Sequence, residues 1–284
     1  MIPFARVAIV GVGLVGGSLG MALRARGLAS KVVGVTRTAE TIEVACARGA
    51  IDSGTVTPED GIAGADLIVL ATPPDLVVPM ALRVLPHLEA GVLLTDVTSV
   101  KGEIVRSIEG AAASRGVEFV GGHPMAGNEG RGVEAASADL FEGAAYVVTP
   151  TPRTAPSAVA RLSELARALG ARPMVLSPDE HDRAVAIVSH LPYLVAAALV
   201  GVSGGAGRAA GPGFLGATRV AGSPVELWTQ ICRLNQGPIT EALRAFQSEL
   251  VRLEAALADG ARLGAMLEQA RAARVQLANT RGDG

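Results

Sequence analysis

The chain has 284 residues, enough for one large or two ordinary domains, and about half of them (49%) are apolar while only 3% are aromatic, so the core rests on small and aliphatic side chains. A formal charge of -2 with no run of like charges argues against a nucleic-acid or anionic-membrane surface. Cys46 and Cys232 exclude a disulfide framework, and His87, His123, His181 and His190 form no HxH or HExxH pair, so no metal site is expected. No signal peptide opens the sequence, and the longest apolar run, 185–202, carries a proline, so a cytoplasmic protein with no membrane span is expected.

Taken in order, residues 5–10 (ARVAIV) read as a buried strand that runs into Gly11-Val-Gly13-Leu14-Val15-Gly16-Gly17-Ser18. A helical pattern follows, then a second strand at 31–35, which is the strand, glycine turn, helix, strand context of a dinucleotide fingerprint. Gly11 permits the tight turn, Gly13 lets backbone amides approach a pyrophosphate, and Gly16 lets helix and strand pack closely. At the end of the second strand stand Thr36 and Arg37, with no acid before Glu40. A hydroxyl and a guanidinium suit a 2′-phosphate where a carboxylate would repel it, so NADP is favoured over NAD; the alternative is an Arg37 that lies over the adenine and tolerates both.

Further strands are expected at 66–71 and 91–96, closed by Thr72-Pro73-Pro74 and by Val97-Thr98-Ser99-Val100-Lys101, with a helix at about 76–87 between them. In a doubly wound sheet both turns lie at the carboxyl edge, which makes Ser99 and Lys101 candidate site residues; Ser99 could equally cap the next helix. A strand at 117–121 leads to the glycine-rich loop 121–132 (GGHPMAGNEGRG), where His123 has no packing duty; from the loop alone, acid–base work and an idle imidazole on a surface loop stand even. Strands at 145–149 and 172–176, with a helix between them at 157–169, complete the expected sheet.

Beyond Pro178 only helices are read, at 179–202, 224–235, 239–258 and 261–278, so the domain boundary is placed at 177/178: residues 1–177 a Rossmann-type α/β domain, 178–284 an all-α domain. Within the first of these helices residues 184–202 are apolar beyond one face, which asks for a covering partner and gives a homodimer through the second domain. Within it Ser189-His190-Leu-Pro192-Tyr193 breaks the pattern: Pro192 should kink the helix, and His190 and Tyr193 can share a face. His181, among Asp179, Glu180, Asp182 and Arg183, reads as a solvated helix start. Arg219, isolated in apolar company, wants an anionic partner, from Glu226 or Glu241 or from a ligand.

Gly11–Ser18, Asp96–Lys101 (DVTSVK), Gly121–Gly132, Leu140-Phe141, Ser189–Tyr193 (SHLPY) and 213–228 together resemble the prephenate/arogenate dehydrogenases of tyrosine biosynthesis over essentially the whole chain. The resemblance implies an N-terminal nucleotide-binding domain, a C-terminal helical dimerisation domain, and oxidative decarboxylation of a cyclohexadienol by hydride transfer to a nicotinamide. It implies His123 as the base on the ring hydroxyl, Ser99 beside it, and Arg219 on a substrate carboxylate. His190, Asn128, Glu129, Tyr193 and Trp228 would line the substrate pocket. Gly11, Gly13, Leu14, Val15, Gly16, Thr36, Arg37, Thr72, Pro73, Ser99 and Lys101 would hold the cofactor. Tyr193 stands where many prephenate-using members carry a histidine, which leaves prephenate and arogenate both open. No fused chorismate mutase segment and no C-terminal regulatory domain are expected. Competing readings are another Rossmann oxidoreductase with a helical second domain, of β-hydroxyacid dehydrogenase or imine reductase type, and a non-catalytic NADP-sensing protein.

Overall fold

A computed structural model describes residues 4–128 and 130–282, with the side chains of 278–282 outside the description. The first strands and helices are β1 (Phe4–Val10), α1 (Leu14–Ala25), β2 (Ala29–Val35), α2 (Ala39–Ala47), β3 (Ser53–Thr55), α3 (Pro58–Ile62), β4 (Leu67–Leu70), α4 (Pro74–Val84), β5 (Leu93–Asp96), α5 (Gly102–Ala113) and β6 (Glu118–Phe119). All six strands are parallel, in the order β3-β2-β1-β4-β5-β6. Strand order reverses between β1 and β4, and that switch point is where such sheets bind nucleotides.

Alternation along the central strands explains why the sheet is buried on both sides. Val7 and Ile9 of β1, Leu67 and Val69 of β4 and Leu93 of β5 join Leu19 and Leu23 of α1 in one core. Ala8, Val10, Ile68, Leu70 and Leu94 point the other way, onto Val77 and Ala81 of α4 and Ile104 and Ile108 of α5. An all-parallel sheet needs this double cover, and near-continuous aliphatic strands supply it.

The expected single sheet is in fact two. β7 (Gly121–Pro124), β8 (Ala145–Thr149) and β9 (Arg172–Val175) form a separate three-stranded sheet, with β7 antiparallel and β9 parallel to β8; α6 (Pro156–Ala168) links the last two. The chain breaks between β6 and β7, so the residues read as the start of a glycine-rich loop are a strand, and His123 pairs across from Val147. The glycines serve close packing: a Cβ on Gly122 would lie 2.9 Å from the carbonyl oxygen of Asp96, at the end of β5.

Strand structure ends at Val175, and a capping box of Ser177 and Glu180 starts α7 (Pro178–Val185). One wide π turn (Ala186–His190) joins it to α8 (Leu191–Ser203), followed by α9 (Pro212–Thr218) and α10 (Val225–Leu234). The expected kink takes the form of that π turn, which lets the helix continue past Pro192. The helical run 178–209 thereby becomes long and apolar enough, by length and composition, to cross a membrane, the mean hydropathy of its most apolar window being 2.0. Residues Met1–Asn235 form one compact unit, tied at its end by the ion pair of Arg233 with Asp75 on α4. A second unit, Gln236–Gly284, holds α11 (Gln236–Ala256) and α12 (Gly260–Gly282).

Candidate active site

The glycine turn after β1 has the features a pyrophosphate needs. Gly11 sits at φ +99°, and a Cβ there would lie 2.5 Å from the carbonyl oxygen of Ala71, so only glycine brings β1 this close to the end of β4. Nothing lies within 4 Å of the position a Gly13 Cβ would take, which leaves the loop open on the ligand side. Leu14 and Val15 start α1, and Gly16 packs against Gly11. No side chain caps the helix and no acid lies in its first turn, so its N–H groups can meet an anion. Thr72 follows β4 with its Oγ1 buried and without a hydrogen-bond partner among the described residues. Such a group asks for a ligand, and Thr72 with the exposed Pro73 faces the same carboxyl edge. Thr36, buried, donates to the carbonyl of Thr38 at 2.8 Å, while Arg37 is exposed just beyond β2. These residues fit a nicotinamide dinucleotide.

Lys101 does not belong to that set. It is fully buried and paired with Asp96, with its Nζ 3.0 Å from Thr98 Oγ1. The ammonium is spent on closing the β5 end, where a desolvated carboxylate would otherwise stand alone. Ser99, half-buried in the same turn, is not the helix cap either: α5 begins after Lys101, with no cap from that residue's side chain. The exposed amides are met from far along the chain, because Asp182 Oδ1 and Oδ2 accept the N–H groups of Lys101 and Gly102, both at 2.8 Å.

His123 is buried on β7 beside this turn; Gly122 N–H points at Asp96 Oδ1 at 3.4 Å. Its Nδ1 lies 2.8 Å from Nε2 of His181, whose Nδ1 lies 2.7 Å from Asp182 Oδ1. Burial first, and then the neighbouring His181, Lys101 and His190, hold the His123 pKa well below the usual imidazole value, so the ring is neutral. Burial likewise lowers His181, outweighing its hydrogen bond to Asp182. His181 is therefore no solvated helix start. Pro178, His181, Asp182 and Val185 are the buried residues of α7, and that i, i+3, i+4, i+7 spacing is the signal that would have found it.

The loop leaving His123 returns to the fingerprint helix. Val133 packs on Gly17, and Ser137 N–H donates to Ser18 Oγ at 3.0 Å. Asn128, exposed on that loop, accepts from Gly130 N–H at 2.8 Å, and Glu129 lies outside the described residues. His190 is fully buried, its Nδ1 3.1 Å from Asn235 Nδ2, which also donates to the carbonyl of Asp182 at 2.8 Å. His190 and Tyr193 do share a face, because both rings reach Trp228, the first edge-on at 6.0 Å and the second stacked at 3.9 Å. Arg219 is exposed on a short 3₁₀ turn (Arg219–Gly222) that packs against α8. Sequence reading missed His181, Asp182 and Asn235, the three residues that link β7, α5, the π turn and the end of α10.

Two family models cover this architecture: residues 19–189 match the prephenate dehydrogenase nucleotide-binding domain, and residues 177–269 match the prephenate dehydrogenase dimerization domain. The chain is 30% identical to a cyclohexadienyl dehydrogenase of Zymomonas mobilis over 98% of its own length and 97% of the relative's. It is similar to a solved arogenate dehydrogenase from Synechocystis (33% identity, 96% of this chain and 99% of that one, TM-score 0.83). It is similar too to a prephenate dehydrogenase from A. aeolicus solved with hydroxyphenyl propionate and NAD+ (31% identity, 96% and 98% covered, TM-score 0.87). Matched in both halves, with an open glycine turn and a buried neutral histidine at one sheet edge, the chain belongs to the prephenate dehydrogenase family and is a nicotinamide-dependent dehydrogenase.

Proposed function

We propose that this chain oxidatively decarboxylates prephenate or its amino counterpart arogenate, a step of tyrosine synthesis, with His123 as the base. The observation that carries the reading is the imidazole of His123, buried and held neutral, on a strand whose outgoing loop packs on the fingerprint helix. A neutral imidazole is the side chain best matched to taking a hydroxyl proton near neutral pH. When bound, the nicotinamide supplies an acceptor for the hydride from the ring carbon that carries the hydroxyl. His123 takes the hydroxyl proton as that carbon becomes a ketone. The carboxylate opposite leaves as CO2, its electron pair runs through the ring to oxygen, and the oxygen recovers the proton from His123. Aromatisation makes the step effectively irreversible, and no proton is released overall.

Ser99, half-buried in the turn after β5, holds the hydroxyl, and the exposed Arg219 takes a substrate carboxylate. Tyr193 and Trp228 offer a flat wall to a six-membered ring, His190 stands edge-on to Trp228, and Asn128 joins them as a substrate-binding residue. Thr36 and Arg37 at the end of β2 favour NADP over NAD. The division of labour falls at 177/178, nucleotide before and substrate with dimerisation after. Ile187, Val188 and Val202 stand exposed on the long helical run, so a second copy is its cover, which accounts for an apolar helix with only 28% of its most apolar window buried. Sedimentation as a monomer at micromolar concentration would remove the dimer.

The test crosses prephenate and arogenate with NAD and NADP and follows reduced nicotinamide by absorbance. Turnover of at least one pair is expected, with His123→Asn slower by roughly 10²–10⁴-fold. No turnover of either substrate with either cofactor would sink the reading. Another Rossmann oxidoreductase or a mere NADP sensor is not favoured, because both halves match one enzyme family.

A further inference from the structure

We propose that His181 and Asp182 are positioning residues that hold His123 as the tautomer protonated on Nδ1, leaving the Nε2 lone pair for the substrate hydroxyl. The inference rests on the reading of His123 as the base and adds what aims it.

Asp182 fixes the order of protons along the pair of rings. Burial works to raise its pKa, but hydrogen bonds from His181 and from the N–H groups of Gly102 and Lys101 outweigh that and keep it ionised. A carboxylate can only accept, so His181 Nδ1, 2.7 Å away, must donate. A neutral His181 has one ring proton, so its Nε2 is an acceptor. His123 Nδ1, 2.8 Å from that Nε2, must then be the donor, and a neutral His123 has no proton left for Nε2. The two rings meet edge to face, 5.0 Å between centroids and 72° between planes, which fixes the direction of His123 as well as its proton.

Asp96 favours a proton on His181, but burial leaves the net shift of that ring downward. Lys101 at the start of α5 opposes a proton on either ring, and so does His190 on His123. Asp96 on β5 is already engaged by Lys101 and Thr98, and Tyr146 on β8, its pKa raised by burial, stays neutral. One carboxylate thus sets two things at once. Through His181 it orients the base on β7, and through two backbone amides it ties the turn carrying Ser99 to the start of α5. The proton that His123 gains during turnover is met by a hydrogen-bonded path ending on a negative charge.

The test is made on the full-length protein labelled with ¹⁵N, where only four histidines contribute to a long-range nitrogen–proton spectrum near neutral pH. His123 should show a protonated Nδ1 and a bare Nε2. Asp182→Asn places an amide donor against His181 and should reverse both tautomers. Its kcat should fall roughly 10²–10⁴-fold, as when a triad carboxylate is made an amide, with substrate KM and cofactor affinity within about twofold. Because Asp182 also caps α5, a second pair leaves that cap alone: His181→Gln, whose amide oxygen can accept from His123, should keep more kcat than His181→Leu. An Nε2-protonated His123 in the parent enzyme overturns the proposal, and so do equal rates for the Gln and Leu variants. Normal turnover by His123→Asn with the tautomer as stated would instead remove the base reading.

Discussion

The indole of Trp228 lies flat on the phenol of Tyr193, ring centroids 3.9 Å apart and planes 2° from parallel. One residue comes from α8, just past the π turn, and the other from α10, so the stack locks two helices that meet nowhere near each other in sequence. Such a pair contributes about 0.5–1.5 kcal/mol beyond its buried area. Tyr193→Phe should keep the stack and both Tm and substrate KM, whereas Tyr193→Ala should lower Tm and raise KM with kcat less affected. Equal KM in the two variants would mean the stacked face plays no part in holding substrate.

Lys101 and Asp96 give a different kind of expectation. Both are fully buried, and removing one partner of such a pair leaves an uncompensated charge, at a cost of about 3–5 kcal/mol. Lys101→Met should therefore lower unfolding free energy by that order. Loss of the cation also raises the His123 pKa, so the acid limb of kcat should move to higher pH. A variant of parental stability that had lost cofactor affinity alone would return Lys101 to the cofactor site.

Stability should fall on acidification through His190. Burial pushes its pKa down to about 4, against the attraction of Asp182, while the unfolded imidazole titrates near 6.5. Below 6.5 the unfolded chain binds the extra proton first, so this contribution is whole above that pH, declines as pH falls, and is gone by about 4. A shift of this size corresponds to something of the order of 3 kcal/mol. Urea denaturation across that window should show the decline, and His190→Gln, which retains an acceptor for Asn235, should flatten part of it. His123 and His181, lowered by burial in the same sense, would keep the rest.

How far the sequence carried depended on what kind of signal each part sent. β1, β2, β4 and β5 are nearly continuous aliphatic runs punctuated by Gly11, Thr72-Pro73 and Ser99, so strands and site turns were legible together. β7 was not, because two glycines, a histidine and a proline carry no strand propensity. What holds them extended is pairing with β8 and the close approach to Asp96. His181 and Asp182 were hidden by their neighbours: Asp179, Glu180 and Arg183 make the helix start look solvated, and only the spacing of Pro178 and Val185 shows the buried stripe. Lys101 illustrates the converse, a charge in the right motif and place whose partner, five residues back on β5, had already claimed it.

Cofactor choice turns on Arg37. It stands exposed two residues beyond β2 with Thr36 before it, and no carboxylate occupies the position where a ribose-binding acid would sit. A guanidinium bound to a 2′-phosphate makes charge-assisted hydrogen bonds worth about 1.5–3 kcal/mol. Arg37→Ala should therefore raise the KM for NADP by roughly 10–100-fold and leave that for NAD within about threefold. The ratio of kcat/KM values for the two cofactors is the quantity to measure, since it cancels any general loss of folded enzyme. Equal losses with NAD and NADP would place Arg37 over the adenine, a contact both cofactors share, and the phosphate role would fall. Arg37→Asp sharpens the same comparison, because a carboxylate there repels a phosphate yet can accept from ribose hydroxyls. NADP use should collapse while NAD use holds or improves.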